Sequence, residues 1–175
     1  MIDRPVEFDR TFGQVVQWAA NNRAVIHECL ERVFGKAELI LDLPHNTYEQ
    51  LSDGSVIIRK GSVRLLPGEI SALPSHMSGD VVLIQANEKI GEILNSMSHG
   101  TGRTMSRNNS KSIAGSFDYA GLRRSILIQE GIEDSSLRTD GPFAYRDLDE
   151  CLDLIRDYVT VVARFGVVGY MGHLG

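Results

Sequence analysis

Several features that would settle a function outright are missing from this chain. Cysteine is scarce: Cys29 and Cys151 are the two in 175 residues. Both fall inside helix-like patterns. They exclude a disulfide framework and a thiolate zinc site, and they read as small buried hydrophobes in a reducing compartment. No apolar run approaches the roughly 20 residues that span a bilayer, and the opening MIDRPVEFDR has no signal-peptide core. The expected location is the cytoplasm. Basic excess is missing too, since 18 Lys and Arg stand against 23 Asp and Glu, a formal net charge of −5. That excludes a generic polyanion binder, so any nucleic-acid contact has to come from a local basic patch. HExxH, an EF-hand loop, CxxC, the P-loop and the Rossmann fingerprint are all absent. A nucleotide bound here would not sit in a Walker-type site.

What remains is an ordinary globular composition, 42% hydrophobic and 23% charged, long enough to bury a core. No repeat or linker divides it, and a single domain over residues 1–175 is expected. Asp9 is placed to cap a helix running to Phe34, with Phe12, Val15, Val16, Ala19, Ile26, Leu30 and Val33 mostly on one face and Gly35 as the stop. Ala37 to Leu43 reads as a strand broken by Pro44. Ser55–Arg59 and Ser62–Leu66 read as a hairpin turning at Lys60-Gly61. Val81–Gln85 reads as a buried strand, and Ile90–Met97 as a short helix. A polar helix starts near Arg107, and Ser116–Tyr119 reads as extended, before a short segment at Leu122–Gln129. Asp140-Gly141-Pro142 is a turn. Leu148 to Phe165 reads as one long amphipathic helix, with Val167-Val168 as a last strand. The alternation predicts α/β or α+β, with a mixed β-sheet and packed helices.

Four loops carry residues suited to chemistry. The most informative is His99-Gly100-Thr101-Gly102-Arg103, followed by Met105-Ser106-Arg107. It sets a nitrogen nucleophile against two glycines, which let backbone N–H groups approach an anion, and then two arginines whose planar forks match a phosphate. The helix after it can turn its positive end to the same anion. The competing reading is a turn with a surface histidine. In LDLPHNTYEQ, His45 could ligate a divalent metal and Asn46 could donate to a phosphate or ribose oxygen; a loop histidine and a turn asparagine are the plainer account. In VIIRKGSVRLLPGE, Arg59, Lys60 and Arg64 form either a basic ribbon for a nucleic-acid backbone or a solvated hairpin face. In LPSHMSGD, Gly79 and the small residues allow close approach to a ligand, or simply make a turn into a strand.

Taken in order, these segments resemble the RtcB-type RNA ligases. The resemblance rests on AANNR (Ala19 to Arg23), HN (His45-Asn46), RKG (Arg59 to Gly61), PGE (Pro67 to Glu69), PSHMSGD (Pro74 to Asp80), HGTGRTMSR (His99 to Arg107) and AYRDLDE (Ala144 to Glu150). It implies the C-terminal part of an RtcB-like fold, which joins an RNA 3′-phosphate (or 2′,3′-cyclic phosphate) to a 5′-hydroxyl in tRNA splicing or RNA repair, using GTP and Mn2+. By the resemblance His99 takes GMP from GTP. His45, Asn46, Pro74, Ser75, His76, Met77, Gly100, Thr101, Gly102 and Tyr145 would surround the nucleotide, and His45 would also ligate manganese. Arg59, Lys60, Arg64, Arg103 and Arg107 would contact RNA or phosphate. Two departures stand out. The family's larger N-terminal half, with most metal ligands, is not in this chain, so a separate N-terminal half is an implied partner. Many members also end in a guanine-contacting lysine, whereas here no lysine follows Lys111 and only His173 could fill the place. The rival is a noncatalytic nucleotide-binding or interaction module derived from the family.

Overall fold

The computed structural model describes residues 6–171. The chain divides into two compact units, Met1–Arg64 and Leu65–Gly175. The first is built on one helix, α1 (Val6–Phe34). It starts ahead of Asp9, so that residue lies inside the helix and not at its cap. It stops where expected, at Gly35, whose φ of +90° admits the left-handed turn. The single apolar face needs correction. Phe12, Val16 and Ala19 are half-buried, but Val15, Ile26, Leu30 and Val33 are exposed. Ala37 to Leu43 is irregular chain, not a strand. It is held to α1 by Arg23, whose guanidinium pairs with both oxygens of Asp42; Leu39 and Ile40 point outward.

Strand β1 (Asn46–Gln50) pairs antiparallel with β2 (Val56–Lys60), from Asn46 opposite Lys60 to Gln50 opposite Val56. The hairpin therefore closes on the other side of β2 from the one expected. Its turn has the stronger chemistry: the Asp53 carboxylate accepts from the Ser55 N–H at 2.8 Å, and Gly54 sits at φ +83°. Lys60-Gly61 makes only a bend into the short β3 (Ser62–Arg64), with Gly61 at φ +69°.

The second unit begins with β4 (Ile70–Pro74) and β5 (Val81–Ala86). A 3-10 turn (Glu88–Ile93) ends at Leu94 and Asn95, both at positive φ, and the chain then extends as β6 (Ser96–Ser98). The helix expected over Ile90–Met97 is thus one turn and a strand. Next come α2 (Arg107–Ile113), α3 (Tyr119–Ser125), β7 (Leu127–Ile128), α4 (Asp134–Leu137), α5 (Leu148–Ile155), β8 (Val159–Phe165) and β9 (Gly169–Tyr170). Ser106 caps α2 by accepting from Asn109, and Asp118 caps α3 by accepting from Gly121. Extended chain was expected over Ser116–Tyr119; instead Ser116 ends a 3-10 turn (Ala114–Ser116) and Tyr119 begins α3.

The largest correction is at the C-terminal helix, which ends at Ile155. Tyr158 closes the turn onto the Ile155 carbonyl at 2.9 Å. The β-branched run Val159-Thr160-Val161-Val162 then pairs with β5, giving an antiparallel sheet in the order β4-β5-β8. The expected last strand lies slightly later, where β9 pairs parallel with β7. The outcome is a mixed α/β fold with small, mainly antiparallel sheets. Leu73, Val82, Ile84 and Ala86 fill one sheet face, and Leu122, Ile126, Ile132 and Leu137 form a second cluster. Among the described residues no helix is long and apolar enough to cross a membrane.

Candidate functional site

The hairpin loop between β4 and β5 and the loop leaving β6 meet in the second unit. The Thr101 N–H donates to the Pro74 carbonyl at 3.1 Å. Gly100 lies so close to the same carbonyl that an added Cβ would stand 3.0 Å from it, which explains glycine there. Gly102 occupies φ +77° and accepts the Arg146 N–H at 3.0 Å. His99 itself is exposed at the start of this loop. Thr101 is buried, and its hydroxyl has no hydrogen-bond partner among the described residues. A buried hydroxyl without a partner is costly.

In the β4–β5 loop, Ser75 is buried and its hydroxyl donates to the Asp80 carbonyl at 2.9 Å. Gly79 leaves room for it, since a Cβ there would stand 2.2 Å from Ser75 Oγ and 2.7 Å from His76 Nε2. Burial holds the His76 imidazole below the usual histidine range, against a weaker upward pull from Asp80. The Ser78 N–H points at Nδ1 at 3.4 Å. The burial that lowers the titration of His76 favours the neutral ring. Its ring lies 6.4 Å from that of Tyr145. Met77 turns the other way, onto the cluster around Leu122.

Arg103 binds the framework of its own loop. It donates to the Met105 carbonyl at 3.1 Å, Asp140 Oδ1 at 2.9 Å, Ser110 Oγ at 2.7 Å and the Thr139 carbonyl at 2.6 Å. Its guanidinium also lies 5.2 Å from the centre of the Tyr145 ring. Asp140 Oδ1 accepts the Tyr145 hydroxyl at 3.2 Å, and Arg107 approaches it at 3.7 Å with most of its side chain in solvent. Arg107 is the arginine of this loop with the greater reach outward. Tyr170 stands near the same group: burial, then the charge of Asp140 and the neighbouring Tyr145, push its hydroxyl above the usual tyrosine range. Sequence reasoning passed over Asp140, which looked like a turn residue, and Tyr170, which carried no motif. The Asp-Gly-Pro spacing just ahead of Ala144-Tyr145 was the available signal for the first. The second had none, because parallel pairing of β9 with β7 brings Tyr170 in from the far end of the chain.

His45 and Asn46 belong to the first unit, at the entrance to β1. Asn46 Oδ1 accepts from the Gly61 N–H at 3.2 Å, and the His45 carbonyl accepts the same N–H at 2.7 Å. They edge a small cleft of about 130 Å³ against Phe12, Val16, Ala19 and Arg23 of α1. Arg59 is buried in β2 and donates to Glu49 at 2.9 Å, and Arg64 reaches the same carboxylate at 3.4 Å. The hydrogen bond from Arg59 is the main reason that Glu49 titrates below the usual range. Lys60 remains exposed. Among the described residues no three His, Cys, Asp or Glu side chains gather as a metal site. This donor set does not fit a manganese ion. His173 lies outside the described residues.

A family model described as tRNA-splicing ligase RtcB matches residues 10–172. The chain belongs to the RtcB family. It is 28% identical over 157 residues to the RNA-splicing ligase RtcB of Mycobacterium tuberculosis, covering 75% of this chain and 36% of that protein. It is 29% identical over 188 residues to the tRNA-splicing ligase RtcB of Thermococcus kodakarensis, covering 86% and 38%. The RNA-splicing ligase RtcB of Escherichia coli K12 is 28% identical over 124 residues, 67% of this chain and 29% of that protein. The chain thus spans about a third of the length of the curated RtcB relatives it matches.

Proposed function

We propose that this chain is the nucleotidyl-transfer portion of an RtcB-type RNA ligase, with His99 as nucleophile. The observation that carries the reading is the meeting of the two motif loops through Thr101 and Pro74, with the partnerless Thr101 hydroxyl and the neutral His76 beside them. A neutral imidazole at His99 attacks the α-phosphate of GTP. The new bond is N–P, the bond to the β-phosphate oxygen breaks, and pyrophosphate leaves. GMP then passes to an RNA 3′-phosphate, and the 5′-hydroxyl of a second end displaces it, closing the phosphodiester. Thr101, Gly102 and His76 supply donors to the nucleotide, and Tyr145 offers a ring face. Arg107, Lys60 and Arg64 meet the RNA backbone. The described residues do not form a metal site; in this reading the metal ligands come from the family's N-terminal half.

The test uses GTP radiolabelled on the α-phosphate, with and without an added RtcB N-terminal half. The complemented protein forms an adduct that is acid-labile and base-stable, as a phosphoramidate is, and His99→Ala removes it without changing the circular dichroism. Equal labelling of the variant, or an adduct mapped to a lysine, sinks the reading. The absence of a three-ligand cluster among the described residues favours one other reading: a module that binds nucleotide without transferring it. Saturable GTP binding with no adduct under any complementation would establish that one.

A further inference from the structure

We propose that Asp140 is a positioning residue of the candidate site: its carboxylate tethers the Tyr145 hydroxyl and so presets the Tyr145 ring for a nucleotide. The inference rests on the nucleotide reading above, in which Tyr145 offers a ring face, and it names what holds that face. The local chain shows why a tether is needed. Between the two residues lies a 3-10 turn, Pro142–Ala144. Proline presets its first φ, Ala144 is buried, and Phe143 packs on Phe117 with ring centres 5.2 Å apart. The Tyr145 N–H closes the turn onto the Pro142 carbonyl at 3.1 Å. Across the gap to the His99 loop, the Thr104 N–H donates to the Ala144 carbonyl at 2.9 Å and the Arg146 N–H to the Gly102 carbonyl at 3.0 Å. Tyr145 thus lies antiparallel to Arg103. Its backbone is fixed, and two side-chain torsions are left to settle.

Two contacts divide that task. The hydroxyl donates to Asp140 Oδ1 at 3.2 Å. Because the hydroxyl lies on the axis of χ2, this bond fixes where the side chain points, which is χ1, and leaves the ring free to spin. The Arg103 guanidinium lies over the ring, 5.2 Å from its centre, and sets the plane, which is χ2. Neither contact does the work of the other. Asp140 is itself oriented through both oxygens. Oδ1 also accepts Arg103 Nη1 at 2.9 Å, and Oδ2 accepts the Thr139 hydroxyl at 2.8 Å. The arginine that covers the ring therefore also aims the carboxylate that tethers it. Tyr145 is only half-buried, so without the tether solvent competes for its hydroxyl. A ring ordered before the ligand arrives spares the ligand the entropy of ordering it.

The experiment is a double-mutant cycle on the full chain, read by titration calorimetry with GTP and by urea unfolding. Tyr145→Phe keeps the ring and its Arg103 contact but loses the tether. It raises the Kd for GTP about three- to tenfold and leaves the unfolding midpoint nearly unchanged. Asp140→Ala raises the Kd at least as far and also lowers the midpoint, because Arg103 loses a partner. The double variant binds no more weakly than Asp140→Ala, since one tether can be lost only once. A second readout needs no nucleotide. In carbon-13 spectra of tyrosine-labelled protein, the Tyr145 ring signal is identified by its absence in Tyr145→Phe. In Asp140→Ala it moves toward the position of free tyrosine. Wild-type affinity in Tyr145→Phe overturns the proposal, as does additive loss in the double variant or a ring signal that stays in place. Failure of the nucleotide reading looks different: the ring signal moves as expected, yet the wild type binds no GTP. That result removes the reading, and with it the purpose given to the tether.

Discussion

At the scale of single residues, Arg103 shows how a motif position can serve the frame instead of the ligand. The sequence presents it as a phosphate fork. In the structure four of its donors go to Met105, Ser110, Thr139 and Asp140. Lysine keeps the charge but offers a compact ammonium in place of the fork. Arg103→Lys is expected to cost about 2 kcal/mol of stability, because several charge-assisted bonds in a mostly shielded site are lost together. Arg107→Lys, at an exposed position, is expected to stay within about 0.5 kcal/mol. Urea unfolding of the two variants checks this, and equal losses would mean that Arg103 is not the fastener described. The tight glycine backbone after His99 was legible, because the conformational freedom of Gly100 and Gly102 acts at short range. What Arg103 bonds with was not, since Thr139 and Asp140 lie some 36 residues downstream.

At the scale of elements, legibility followed the strength of local signals. The start of α2 at Ser106, the stop of α1 at Gly35 and the strand β5 could all be read directly from capping, glycine and apolar pattern. The region Leu148–Phe165 misled because valines spaced along an amphipathic helix also suit a strand, and pairing with β5 decided the matter. The strands β1 and β4 escaped notice: their polar or short sequences declare themselves only beside a partner. The β4–β5 hairpin yields a prediction of its own. Gly79→Ala forces a methyl onto Ser75 Oγ and His76, so the loop must shift, at a cost of about 1–3 kcal/mol. Gly91→Ala, whose nearest neighbour would be 4.0 Å away, serves as the control. Thermal unfolding and GTP binding by fluorescence are both expected to fall for the first variant only. A Gly79→Ala protein with intact stability and binding would show that the tight turn is dispensable.

At the scale of the molecule, the family was legible from motif order, and the matched span of residues 10–172 agrees with it. His45 is the one residue the family pattern offers as a ligand, and no three-ligand group forms among the described residues. The isolated chain is therefore expected to bind manganese weakly or not at all in titration calorimetry. Tight binding at one ion per chain would reveal a site assembled from residues not recognised here. Apolar side chains stand exposed on α1 and on the chain after it, at Leu39 and Ile40.

The bonds from Arg103 to Thr139 and Asp140 also fix where the chain enters and leaves its helical lobe. Residues 104–138 form a hoop whose two ends are tied at one knot, with a core of their own in Leu122, Ile126, Ile132 and Leu137. Closing a hoop costs only about 0.6 kcal/mol more for each doubling of its length. Insertions at its outer turns can therefore be absorbed while the knot, and the Gly100–Gly102 loop beside it, stays where it is. The hoop is where this fold has latitude to acquire new features without retuning its chemistry.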